Sequence, residues 1–162
     1  MSNYILDLRK TVGHRPLLQV GASVIVENEA GEILLQLRTD NQLWGYAGGS
    51  VELDEVVEEA AARELYEETG LRAKTLELFG VFSGPDMHYT YPNGDEVSNV
   101  DIVYLCREWE GDLTPQEDEV KVLRFFAAEN IPDALTPPNI RPLRLWQKQK
   151  LSYTPDCTHP SE

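Results

Sequence analysis

Three glutamates are spaced so that a helix would bring their carboxylates onto one face. Glu64, Glu67 and Glu68 lie within residues 54–69, a stretch without glycine or proline that predicts a helix. Side chains three and four positions apart on a helix are neighbours, and like charges at that spacing repel each other. A divalent ion such as Mg²⁺, which binds carboxylate oxygens, would remove this repulsion. The spacing indicates a metal site, but on its own it is more typical of a solvated helix surface.

The sequence around these glutamates favours a metal site over a solvated helix surface. Residues 49–71 match the pattern G-x5-E-x7-R-E-U-x-E-E-x-G-U, where U is a bulky aliphatic residue, at every fixed position. A chain of this length would match by chance in well under about one case in a million. The segment resembles the Nudix box, the signature of the Nudix hydrolase family, which includes MutT-like enzymes and ADP-ribose pyrophosphatases.

This resemblance implies an enzyme that cleaves the diphosphate bond of a nucleoside diphosphate linked to a moiety X. It also implies Mg²⁺ as the cofactor, with Mn²⁺ as a substitute, because phosphoryl transfer depends on charge neutralisation and an activated water. ADP-ribose, 8-oxo-dGTP, dinucleoside polyphosphates and nucleotide sugars are all open as substrates. The alternative is a Nudix-fold protein that senses a nucleotide without cleaving it. Such members typically lack a box glutamate, and this chain has all of them.

The resemblance also implies roles for individual residues. Glu67 and Glu68 would be the principal metal ligands, and Glu64 a third ligand or the base that deprotonates the attacking water. The main-chain carbonyl of Gly49 would complete the coordination, and Glu55 would assist through a bound water.

Five further residues are candidates for the site. Arg63, surrounded by acidic residues, would orient a neighbouring glutamate. Glu119 could act as a general base or extra ligand, or belong to a solvated acidic turn. Arg38 could bind a phosphate or pair with a surface acid, and Trp44 could stack on a base or pack against the fold. Tyr89 could line the substrate pocket or be an ordinary strand residue.

Three positions near the box depart from the common family pattern. Ala47 replaces the proline that usually precedes the paired glycines, Asp54 replaces a glycine, and Val56 replaces a serine. Because valine is a poor N-cap, we predict that Asp54 caps the helix instead. These changes affect loop shape and capping rather than the metal-binding residues.

The remaining sequence predicts a mixed α/β fold. Apolar, β-branched runs predict a first strand over residues 17–27 and a second over 32–38, antiparallel to the first. Gly70 is placed to end the helix. Asn93-Gly94 predicts a hairpin, and further elements are predicted as strands at 76–82, 100–106 and 120–126 and a helix at 139–151. The order lacks regular βαβ alternation.

The resemblance specifies this fold class as a Nudix-type α/β/α sandwich with a mixed sheet and a catalytic loop–helix–loop. It spans roughly residues 17–150, within a single domain predicted for residues 1–162. Residues 152–162 are expected to form a flexible tail. On the predicted helix, Leu65 and Tyr66 are expected to pack onto the sheet.

Composition limits the partners. The chain of 162 residues has 28 acidic and 14 basic side chains, a net charge of −14, which disfavours a polymeric nucleic acid. No run approaches the roughly 20 apolar residues of a membrane span, and the start has no signal-peptide pattern. Cys106 and Cys157 do not form a disulfide framework, so a cytoplasmic location is expected. A homodimer is possible through Trp146, which could equally be a core residue.

Overall fold

The computed structural model describes residues 3–152. Its helices and strands follow the chain in this order: α1 Tyr4–Val12, β1 Leu17–Val26, β2 Ile33–Arg38, β3 Trp44–Gly45, β4 Ala47–Ser50, α2 Val57–Thr69, β5 Arg72–Ala73, β6 Glu77–Phe82, β7 His88–Thr90, β8 Glu96–Cys106, β9 Trp109–Glu110, β10 Val120–Phe126 and α3 Pro137–Ser152. Most of the predicted tail, and Cys157 with it, lies outside the described residues.

A mixed sheet forms the centre of the fold, with strand order β4-β1-β8-β6. β1 runs parallel to β8 from the Leu17–Val97 pair to the Val26–Cys106 pair, and β4 and β6 are antiparallel to their neighbours. β7 pairs with the first part of β8. This long parallel pairing joins segments about eighty residues apart in the sequence and fixes the frame of the site.

The central sheet separates two apolar cores. Val24 and Val26 of β1 lie on one face and pack in a cluster with Leu65 of α2. Ile25 lies on the opposite face, in a cluster with Trp146 of α3. Alternate residues of a strand point to opposite faces, so β1 contributes to both cores. The predicted mixed α/β sandwich is confirmed.

The second sheet has the order β10-β2-β3 and corrects one prediction. β1 and β2 were expected to pair, but a single bridge between Glu27 and Ile33 connects them. Both edges of β1 are occupied by β4 and β8, so β2 separates from it and pairs with β10 and β3. This divergence brings Gln36 and Arg38 next to α2 and the central sheet.

Helix α2 ends as predicted but begins differently. Gly70 terminates it with a left-handed φ of 78°. The N-cap is Val56, whose side chain makes no capping hydrogen bond, and Asp54 does not cap the helix. Asp54 has a φ of 61° and belongs to the preceding turn, so its side chain is in the wrong place for capping. The capping prediction is wrong.

The outer face of α2 corrects a second prediction. Leu65 is fully buried as expected, but Tyr66 is 45% exposed and does not pack onto the sheet. Its ring lies under the guanidinium of Arg72, 4.0 Å from the ring centroid, which stabilises the exposed aromatic side chain.

The predicted hairpin connects β7 and β8. Its turn is closed by hydrogen bonds from Tyr91 N to the Asp95 carbonyl at 2.8 Å and from Gly94 N to the Tyr91 carbonyl at 2.9 Å. Gly94 has a φ of 90°, which favours glycine. The guanidinium of Arg9 in α1 donates to the carbonyl of Glu96, so α1 is attached to this hairpin.

Trp146 is a core residue. It is 1% exposed, and its Nε1 donates to Glu27 Oε2 at 3.0 Å. The Lys150 ammonium contacts the same carboxylate, which fixes the end of α3 to the end of β1. Of the two roles considered for Trp146, the structure agrees with the core position. Within residues 3–152, the structure has no helix with the length and apolar character needed to cross a membrane.

Candidate active site

Two glycines of β4 lie directly against the glutamates of α2. Gly48 N donates to Glu68 Oε2 at 2.9 Å. A Cβ atom added to Gly49 would lie 2.4 Å from Cδ of Glu64, closer than real side chains approach. The absence of side chains at Gly48 and Gly49 therefore allows both carboxylates to reach the backbone of β4.

Glu68 is the most buried acid of the site, at 3% exposure. Its Oε2 accepts from Gly48 N and from Gln36 Nε2, the latter at 3.1 Å, while its Oε1 accepts no hydrogen bond from residues 3–152. Burial, and secondly the charge of Glu64, raise the pKa of Glu68 to about 8 despite these two donors. One carboxylate oxygen is thus fixed by the protein, and the other is left for a ligand.

Arg63 connects the other three glutamates. Its Nε donates to Glu55 Oε1 at 2.7 Å and its Nη1 to Glu64 Oε1 at 2.8 Å, and Nη1 also lies 3.3 Å from Glu67 Oε2. Hydrogen bonding to Arg63 lowers the pKa of Glu55, whose Oε2 also accepts from Glu52 N at 2.9 Å. Arg63 therefore contacts all three glutamates, which agrees with the predicted orienting role without testing it.

One cleft of about 330 Å³ is lined by the carboxylates of Glu64, Glu67 and Glu68, by Gly49 and by Glu119. The side chain of Glu67 is 42% exposed, whereas that of Glu64 is 15% exposed. Burial raises the pKa of Glu64, although its contact with Arg63 opposes the shift. The structure brings these predicted residues together and places Glu119 beside them.

The oxygen ligands of this cleft suit a divalent ion that keeps part of its water shell. Within the described residues, no group of three or more acidic, histidine or cysteine side chains converges as a preformed metal cage. Arg63 pairs with Glu64 and Glu67, whereas Glu68 is held by Gly48 and Gln36. Mg²⁺ does not require a full cage, because it normally binds one or two carboxylates together with waters and substrate phosphates. The residues present fit that requirement.

Arg38 lines both this cleft and a second cavity next to it. Its Nε and Nη2 each donate to Asp40 at 2.9 Å. The carboxylate of Asp40 therefore fixes the direction of the guanidinium. Arg38 forms the ion pair that the sequence analysis considered, and it also faces both cavities.

Tyr89 and Trp44 have different positions relative to this second cavity. Tyr89 lines it, accepts a hydrogen bond from Asn41 Nδ2 at 2.8 Å and packs edge-on against Tyr91 at 4.8 Å. Trp44 lines neither cavity, because its ring packs edge-on against Phe126 at 4.9 Å on the apolar core. Its position agrees with packing and not with base stacking.

The second cavity, of about 100 Å³, contains residues that the sequence did not single out. Asp101 in its wall is 6% exposed, and its Oδ1 and Oδ2 accept from Ser23 Oγ at 2.7 Å and from the Tyr46 hydroxyl at 2.9 Å. Burial raises the pKa of Asp101, and these two hydrogen bonds oppose the shift. In the sequence, only the position of this charged residue within the apolar run of residues 100–106 could have drawn attention to it.

The pKa shift of Asp101 predicts a pH-dependent stability difference. Since its pKa is raised in the folded state, its contribution to stability is complete below the pKa of the unfolded chain and is lost as pH rises through the folded pKa. Asp101→Asn removes this loss. We expect the melting temperature of the variant, relative to wild type, to increase over the pH interval that begins at about 4, the ordinary pKa of an aspartate, and extends upward through the raised pKa of Asp101. A constant difference in thermal melts across that interval would contradict the raised pKa.

Gln36 is another functional candidate that the sequence analysis missed. It is 3% exposed, its Nε2 binds Glu68, and its Oε1 has no hydrogen-bond partner. A buried unpaired oxygen costs about 1–3 kcal/mol, so Gln36→Met is expected to keep or increase the melting temperature. Loss of the donor to Glu68 is expected to lower Mg²⁺-dependent kcat/KM by about 10- to 100-fold.

The matched control is Gln149→Met, which changes an exposed glutamine on α3. It should leave kcat/KM unchanged. Full activity in folded Gln36→Met would show that Gln36 does not position Glu68, and a lower melting temperature would contradict the predicted effect on stability.

Comparison with known proteins gives one family. The NUDIX domain family matches residues 17–147. An ADP-ribose pyrophosphatase from Methanocaldococcus jannaschii is 37% identical over 136 residues, which cover 81% of this chain and 76% of that protein. A MutT-like protein from Streptomyces ambofaciens is 45% identical over 67 residues, but the match covers only 41% of this chain and 44% of that protein. The crystal structure of a MutT NUDIX hydrolase from Burkholderia pseudomallei superposes with a TM-score of 0.67 at 30% identity, covering 80% of this chain and 97% of that one.

Proposed function

The chain belongs to the Nudix hydrolase family, and on this basis we propose that it is a Mg²⁺-dependent pyrophosphohydrolase of a nucleoside diphosphate linked to a second moiety. Mn²⁺ is the expected substitute. One observation carries the proposal: five glutamates and two arginines line the catalytic cleft. A diphosphate would be repelled by this excess of negative charge unless a divalent cation were bound with it.

The residues that would hold the ion are Glu67, Glu68 and Glu64, with the main-chain carbonyl of Gly49. When bound, such an ion supplies positive charge to the diphosphate oxygens and lowers the pKa of a coordinated water. Glu68 would contribute Oε1, because Oε2 is already occupied by two donors. Arg63 limits the rotation of Glu64 and Glu67 through its hydrogen bonds.

Two carboxylates are candidates for accepting the proton of the attacking water. Glu64 is largely buried and held by Arg63, and Glu119 belongs to the loop on the other side of the same cleft. Arg38 faces both cavities and would bind a phosphate oxygen of the substrate. This arrangement directs the diphosphate to the cleft and the group attached to it toward the second cavity.

ADP-ribose is the substrate that we favour. The supporting observations are the relative from Methanocaldococcus jannaschii, similar over most of this chain, and a second cavity that adjoins the cleft. Hydrolysis adds one water across the diphosphate bond and releases AMP and ribose 5-phosphate. The partner of the protein is then a small molecule, and neither nucleic acid nor membrane is needed.

The test is a substrate panel of ADP-ribose, 8-oxo-dGTP, diadenosine polyphosphates and nucleotide sugars, with products separated by chromatography. Each is assayed with Mg²⁺, with Mn²⁺ and with a chelator. We expect ADP-ribose to give the highest kcat/KM and the chelator to remove turnover. Saturable nucleotide binding without turnover of any substrate would identify a sensor instead and overturn the proposal.

A further inference from the structure

The second cavity adjoins the catalytic cleft. Both are lined by a shared set of residues, Gln19, Arg38, Gly48, Gly49 and Tyr91. A group attached to a diphosphate in the cleft therefore has direct access to the cavity. At about 100 Å³, the cavity has room for a single small ring rather than for a whole nucleoside.

The floor of this cavity consists of hydrogen-bond acceptors. The hydroxyl protons of Ser23 and Tyr46 are both donated to the carboxylate of Asp101. With Asp101 ionised, the outward lone pairs of these hydroxyls and the remaining lone pairs of the carboxylate can therefore only accept. Ser23, Tyr46 and Asp101 are called the acceptor floor below.

The acceptor floor has no cationic hydrogen-bond donor among residues 3–152 to balance the charge of Asp101. No lysine, arginine or histidine within residues 3–152 forms an ion pair with Asp101, although the side chain is 6% exposed. A carboxylate buried with two hydroxyl donors and no cation is stabilised less well than in water. Further O–H donors supplied by a ligand would offset part of this cost.

The backbone holds the acceptor floor in a fixed position. A Cβ on Gly48 would lie 2.2 Å from Ser23 Oγ, and a Cβ on Gly21 would lie 3.0 Å from Asp101 Oδ1. The backbone nitrogen of Tyr46 donates to Asn139 Oδ1 at 3.2 Å, so Tyr46 is fixed at both its main chain and its hydroxyl. A floor packed against glycine backbone requires little reorganisation when a ligand binds.

We propose that the acceptor floor binds the adjacent hydroxyls of a substrate ribose and so determines the substrate class. Two neighbouring O–H groups match two acceptor positions on one carboxylate, whereas a carbonyl or phosphate oxygen would be repelled there. Phosphate oxygens are thereby directed to Arg38 and the cleft. This inference rests on the proposed function, because it assumes that the diphosphate lies at the glutamates.

The test compares ADP-ribose with two analogues, one lacking the 2-hydroxyl of the adenosine ribose and one lacking that of the distal ribose. Binding is measured by calorimetry with Ca²⁺ in place of Mg²⁺, and turnover is measured with Mg²⁺. In the wild type, one analogue is expected to bind about 10- to 100-fold more weakly than ADP-ribose. In Asp101→Asn, that preference is expected to fall to a few-fold, with the loss in KM rather than kcat.

Two variants make the outcome specific. Tyr46→Phe keeps Asp101 but removes one member of the acceptor floor, and it is expected to reduce the preference less. Asp112→Asn changes an exposed aspartate without a side-chain hydrogen bond and should keep the full preference. Circular dichroism melts check that each variant is folded.

Failure of this inference differs from failure of the proposed function. A wild type that binds all three ligands equally, or that binds none, would overturn the acceptor floor as a ribose site. So would an unchanged preference in folded Asp101→Asn and Tyr46→Phe. A hydroxyl preference that Asp101→Asn removes, without hydrolysis of ADP-ribose, would support the ribose site and overturn only the enzymatic proposal.

Discussion

Glu68→Gln is expected to lower Mg²⁺-dependent kcat by more than about 100-fold while leaving the metal-free protein at least as stable as wild type. Replacement of groups that only orient metal ligands typically costs 10–100-fold, so loss of a ligand oxygen should cost more. The neutral amide still accepts from Gly48 N. It also removes the cost of ionising a carboxyl group at 3% exposure, whose pKa burial raises to about 8.

The measurement combines steady-state kinetics with thermal melts at several Mg²⁺ concentrations. Wild type should melt at higher temperature as Mg²⁺ is added, because an ion that binds only the folded state stabilises it. Glu68→Gln should lose most of this increase, and Glu67→Gln should behave in the same direction. Glu59→Gln, an exposed change in the first turn of the same helix, is the control. Near wild-type turnover in both Glu67→Gln and Glu68→Gln would remove the metal-ligand assignments.

Local patterns were sufficient to predict the elements that carry the glutamates. The spacing of Glu64, Glu67 and Glu68, the stop at Gly70 and the Asn93-Gly94 hairpin depend on residues a few positions apart, and the structure contains α2 and the hairpin as expected. Burial of Tyr66 was predicted from helical periodicity alone. That periodicity does not show that Arg72 provides an alternative contact at the surface.

Local sequence patterns could not predict which strands pair when they lie far apart in the chain. The turn after β1 suggested pairing with β2, but the sequence does not indicate that β8, some eighty residues later, takes that edge. The same long-range pairing brings Asp101 to Ser23, and the position of β2 brings Gln36 to Glu68. For this reason Gln36, Ser23 and Asp101 were missed, whereas the glutamates of α2 could be proposed from their local spacing.

The close contact between β4 and α2 leads to the second large effect, from Gly49→Ala. The added Cβ would lie 2.4 Å from Cδ and 2.5 Å from Oε1 of Glu64, so one of the two segments must move. β4 is held in register by its pairing with β1, opposite Ala22. Glu64 is therefore expected to be displaced, and displacement by about 1 Å near reacting groups can lower kcat by roughly 100-fold.

Gly31→Ala is expected to reduce stability and not kcat, which is the opposite of the effect expected for Gly49→Ala. Gly31 lies in the turn between β1 and β2, with a φ of 75° and no atom within 4 Å of an added Cβ. Alanine there should cost about 1–2 kcal/mol of stability through backbone strain and leave kcat unchanged. Gly49 has no such positive φ, so Gly49→Ala should lose activity through its contact with Glu64. Kinetics and melts of the two variants side by side separate these causes. Equal kcat values would mean that Glu64 tolerates displacement and has no close role in the reaction.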